Sequence, residues 1–76
     1  MTASQLQDLL VATLIKEAGG THRRWRIVLG ALRLHDPATH PHCNWSLAPS
    51  GGAQENEQVE HVLDRVRLAH PIVTAG

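Results

Sequence analysis

Five residues of the types that hold zinc fall within one short stretch: His35, Asp36, His40, His42 and Cys43. Imidazole, carboxylate and thiolate are all zinc ligands, but structural sites usually join two short-spaced doublets separated by about a dozen residues. Here the second doublet is missing, since only the distant His61 and His70 follow. Pro41, between His40 and His42, stiffens the loop and either preorganises two imidazoles or fixes a turn. The expectation is a polar loop with solvated or hydrogen-bonded histidines, no metal and no cofactor. A zinc-stabilised domain through His35, His40, His42 and Cys43 is the alternative. Cys43 beside His42 also raises a thiolate nucleophile. Adjacent strand residues point to opposite faces, however, so His42 is badly placed to activate the thiol, and no oxyanion hole is recognisable. The chain therefore reads as non-enzymatic, with Cys43 packing against Trp45 and Leu47.

A second constellation is basic: His22, Arg23, Arg24, Trp25 and Arg26, with Arg33 further along. In a nucleic-acid binder such arginines grip phosphates while an indole stacks on a base. The opposite sign gathers at Glu55, Glu57 and Glu60, with Asp64 beyond and Gln54, Asn56 and Gln58 between. Such a face can meet a basic partner surface or lie solvated on a helix exterior. Ser50-Gly51-Gly52 lacks the lysine and glycine spacing of a phosphate-cradling loop, so nucleotide binding is unsupported.

The composition limits what can position these groups. Seventy-six residues suit one domain, residues 1–76, and seven Lys plus Arg against seven Asp plus Glu leave no net charge to draw the whole molecule to nucleic acid or membrane. With Trp25 and Trp45 as the only aromatics, the core must be aliphatic. A core of this size rarely supplies more than about 3–5 kcal/mol, so a homodimer, a metal or a tight partner would add useful stability. A lone cysteine excludes an intrachain disulfide and fits a reducing cytoplasm. No signal peptide or membrane segment is evident.

Helical spacing of Leu6, Leu9, Leu10, Leu14 and Ile15 predicts a helix over 1–18, opened by a Ser4/Gln7 or Thr2/Gln5 capping box and stopped at Gly19-Gly20. Residues 25–35 read as a strand. Trp25, Ile27 and Leu29 share one parity and Leu32 and Leu34 the other, so a β-bulge at Gly30 would reconcile the halves; a helix over this stretch is the alternative. Pro37 and Pro41 mark 36–42 as a loop. Cys43, Trp45 and Leu47 then alternate as a half-buried strand returning antiparallel. From Ala53, Val59, Val62, Leu63 and Val66 restore the helical period until Pro71, and 72–74 add a possible edge strand. The expected fold is α+β: helix-strand-strand-helix with a possible short third strand, two helices packed on one face of a small antiparallel sheet whose other face is bare.

This order is similar to the double-stranded RNA-binding fold, but Gln54-Glu55-Asn56-Glu57 occupies the start of the last helix, where that fold carries a basic patch. The run His40-Pro41-His42-Cys43-Asn44-Trp45-Ser46, followed by Pro49-Ser50-Gly51 and His70-Pro71-Ile72-Val73, resembles small uncharacterised proteins of bacterial and prophage genomes. In size and style the chain is similar to anti-CRISPR proteins and other phage inhibitors, which cover a surface of a larger host complex. What the resemblance implies is a protein-binding inhibitor whose partner is a host protein or nucleoprotein complex; the charge clusters themselves offer its contact surfaces, Arg23, Arg24, Trp25, Arg26 and Arg33 on one side and Glu55, Glu57 and Glu60 on the other. A nucleic-acid-binding module using the same arginines is the alternative.

Overall fold

A computed structural model describes all residues, Met1–Gly76. The first helix, α1, spans Ala3–Ala18, and Thr2 and Gln5 form its capping box: the Thr2 hydroxyl accepts from the Gln5 N–H while the Gln5 side chain accepts from the Thr2 N–H. Of the two expected boxes, the Thr2/Gln5 pair is the one formed. Gly19, at φ 78°, ends the helix. Leu6, Leu10, Val11 and Leu14 form its fully buried stripe.

The next element corrects the expectation of a strand with a bulge. Residues His22–Leu29 form a second helix, α2, capped by the Thr21 hydroxyl accepting from the Arg24 N–H. Gly30, at φ 65°, terminates it, so the change of parity at this glycine marks the end of a helix rather than a bulge. The buried residues Trp25, Val28 and Leu29 stand three and four apart, which is the helical period.

Only Arg33–Leu34 remain as strand β1, which pairs antiparallel with β2, Trp45–Ser46, in the register Arg33 to Ser46 and Leu34 to Trp45. The expected alternation is broken at Asn44, which is buried rather than turned outward. The last helix, α3, covers Ala53–Ala69 and buries Val59, Val62, Leu63 and Val66. The α+β class and the antiparallel pair between flanking helices are as expected, but there are three helices, and they pack chiefly on one another. Residues 72–74 do not extend the sheet. Thr74 alone pairs, parallel, with Thr2.

The core joins all three helices with Trp45, Leu47 and Val73. It is almost wholly aliphatic, and each indole turns its N–H to a carbonyl: Trp25 donates to Gly19 at 2.7 Å and Trp45 to His70 at 2.9 Å. No helix is long and apolar enough to cross a membrane.

Candidate interaction surface

Three helix ends meet around one open cleft of about 700 Å³. Its lining comes from the last turn of α1 and the Gly19-Gly20 turn, from Arg24 and Trp25 on α2, and from the first turns of α3. Gly20 is required there for two reasons. Its φ is 88°, and a Cβ would stand 2.9 Å from the Trp25 Nε1. The turn therefore clasps the indole edge, leaving Trp25 only 5% exposed. A side chain so buried cannot stack on a base, which corrects the sequence reading of Trp25 as a surface contact.

The basic and acidic groups read from the sequence as opposed patches are in part bonded to each other. Arg24 grips Glu55 with two hydrogen bonds, Nε to Oε2 at 2.8 Å and Nη2 to Oε1 at 2.7 Å. Glu55 Oε1 also accepts the Gly52 N–H at 2.9 Å, closing the start of α3. The Arg24 hydrogen bond, then the Gly52 amide, hold the Glu55 carboxyl down at about 2, well below the ordinary carboxylate range. The same bond raises the Arg24 guanidinium. Since more than half of the Arg24 side chain is exposed, the pair adds only modestly to stability, and its main effect is to fix α2 against α3.

Arg26 is likewise answered, by Asp8 at 3.0 Å, and Arg65 reaches Glu17. Arg23 and Arg33 are exposed and form no ion pair. Glu57 lies on the cleft rim with only His61 near it, at 3.9 Å. Glu60 is exposed but away from the cleft. Of the eight residues assigned to partner binding, the fold thus brings Arg24, Trp25, Glu55 and Glu57 together and leaves Arg23, Arg26, Arg33 and Glu60 outside.

The histidine loop is built as a turn. Asp36 accepts the Ala38 N–H on its carboxylate and the Thr39 and His40 N–H groups on its carbonyl. The Thr39 hydroxyl also donates to that carbonyl at 3.0 Å and lies 2.9 Å from the His40 Nδ1. The His35 and His40 rings stack, with centroids 4.4 Å apart and planes at 22°. Imidazole lone pairs lie in the ring plane, so stacked rings do not aim two nitrogens at one ion. No three His, Cys, Asp or Glu side chains converge on a common point. His35 Nε2 instead meets the Ser46 hydroxyl at 3.0 Å, and the half-buried Cys43 points its thiol at the Trp45 carbonyl.

Two contacts gave no warning in the sequence. Asn44, 3% exposed, donates to the Val73 C=O at 2.8 Å and accepts the Val73 N–H at 2.9 Å, imitating a β-bridge with its side chain. Arg67 lies 5.5 Å over the Trp45 ring. The chain matches no protein-family model, no curated protein and no solved structure.

Proposed function

We propose that the chain is a non-enzymatic protein-binding module of the cytoplasm, in its most concrete form a phage-type, anti-CRISPR-like inhibitor that covers part of a larger host protein or nucleoprotein complex. The observation that carries this reading is the open cleft, where the ends of three helices present Arg24, Glu55 and Glu57 on fixed backbone. The Arg24–Glu55 pair and the clasped Trp25 hold the cleft's shape before anything binds, which lowers the ordering cost of docking. The thiol of Cys43 bonds to a carbonyl rather than to an imidazole, which supports binding over nucleophilic chemistry. A direct nucleic-acid role is the weaker reading, because Trp25 is buried and Arg24 and Arg26 are spent on carboxylates of the same chain.

The test is capture of a partner by the tagged chain from bacterial lysate, read by native mass spectrometry with nuclease and chelator arms. A stoichiometric complex containing a host protein, which the cleft-rim variant Glu57→Lys weakens, is the expected result. Capture of nucleic acid without any protein, or indifference to Glu57→Lys, would overturn the assignment.

A further inference from the structure

Backbone hydrogen bonding separates the two edges of the β1–β2 ribbon. Beyond β2 the C-terminal segment is tied in: the Asn44 N–H donates to the Pro71 C=O, the Asn44 amide meets both main-chain groups of Val73, and the Trp45 indole reaches the His70 C=O. Beyond β1 nothing is tied. His35 N–H donates to the Asn44 C=O at 2.7 Å, and the register sets Leu34 opposite Trp45. In an antiparallel ladder bonded and non-bonded pairs alternate, so the Leu34 N–H and C=O point away from β2. No loop, turn or cap hydrogen bond reaches them, and Leu34 is 40% exposed. Such an edge is a template for another strand.

The charge on the edge strand selects the occupant. The nearest carboxylate in sequence, Asp36, is turned to the Ala38 N–H. Glu55 and Asp8 answer Arg24 and Arg26, whereas Arg33, on the open strand itself, has no carboxylate. We propose that the open edge of β1 accepts an extended acidic segment of a partner protein as a third strand. This rests on the protein-binding reading and goes beyond the cleft, adding a second contact surface to the same module. Main-chain bonds to Leu34 supply affinity, and an acidic side chain opposite Arg33 supplies selectivity. A second copy fits less well. Pairing Leu32 with Leu34 would set Arg33 against Arg33, and pairing Leu34 with Leu34 would set Arg33 against His35, so neither register offers an opposite charge.

The experiment is an amide NMR titration of the full chain with a blocked hexapeptide alternating glutamate and valine, and with its lysine–valine counterpart. The glutamate peptide is expected to shift the amides of Leu32, Arg33 and Leu34, with an effect that salt diminishes. Leu34→Pro removes the outward N–H without touching a bond to β2 and should abolish the shifts. Arg33→Glu, at an exposed side chain without an ion pair, should leave the spectrum folded and transfer the response to the lysine peptide. Absence of β1 shifts, equal response to both peptides, or concentration-dependent β1 shifts without peptide, which would assign a second copy, each overturns the proposal. A captured protein partner that Leu34→Pro binds undiminished would also overturn it while leaving the module reading intact. Peptide binding at β1 with no captured partner would instead count against the module reading alone.

Discussion

Replacing Asn44 by alanine should remove most of the stability of this chain. The side chain makes two hydrogen bonds, at 2.8 and 2.9 Å, to the C=O and N–H of Val73, and Asn44 and Val73 are each 3% exposed. An ordinary hydrogen bond contributes about 1 kcal/mol net, and each buried group left without a partner costs about 1–3 kcal/mol. The C-terminal segment can shift outward to let water reach Val73, which places the total near 2–4 kcal/mol, at the lower end of that sum. A core of this size supplies about 3–5 kcal/mol, so Asn44→Ala should leave the fold close to its threshold. At roughly 4–8 °C per kcal/mol for a domain of this length, the melting temperature should fall by about 10–25 °C. Far-ultraviolet circular dichroism against temperature measures it, with urea unfolding to show that the m-value is unchanged. Asn44→Asp sharpens the test. Its ionised carboxylate would accept from the Val73 N–H but face the Val73 C=O without a proton, so this variant should recover on acidification. A loss below about 1 kcal/mol for Asn44→Ala would show that the amide does not hold the C-terminal segment, and the reasoning would fail.

Because the Glu55 pKa is lowered to about 2 in the fold from an ordinary 4.5, its contribution is complete above pH 4.5 and is lost as pH falls through about 2. Glu55→Gln should therefore flatten the dependence of melting temperature on pH between those values, and an unchanged acid limb would contradict the pairing. Gly20→Ala forces a Cβ to 2.9 Å from the Trp25 indole at φ 88° and should cost about 1–3 kcal/mol, with a shift of tryptophan emission; urea unfolding and fluorescence report both. Adding zinc, or stripping metal with a chelator, should leave the melting temperature unchanged, because the stacked His35 and His40 rings do not converge on an ion. A rise on adding zinc that His40→Ala abolishes would restore the loop as a metal site.

The outer helices were legible because their apolar residues recur at helical intervals, from Leu6 to Ile15 and from Val59 to Val66, and because Gly19 and Pro71 punctuate them. Helix α2 was not, since in eight residues Trp25, Ile27 and Leu29 fit a period of two as well as Trp25, Val28 and Leu29 fit a helix. The deciding signals were Thr21, a serviceable N-cap, and Gly30, a stop. Ile27, the residue that completed the strand parity, is 56% exposed. At the candidate surface, residue types were legible and partnerships were not. Nothing local marks Arg24 for Glu55 or Asn44 for Val73, because both contacts arise only when elements far apart in the chain dock.

The bridge between Thr2 and Thr74 closes a loop around all three helices, with Ala3 N–H bonded to the Thr74 C=O and Thr74 N–H to the Met1 C=O. Closure entropy grows with the logarithm of loop length, so on an open chain this is the most demanding contact to form. Once α1 and α3 have docked, the ends are already near and the same contact becomes nearly free. The clasp is therefore expected to close after the helices have docked. Its loss should then act as the loss of a latch does, speeding escape from the native state and leaving the speed of arrival unchanged.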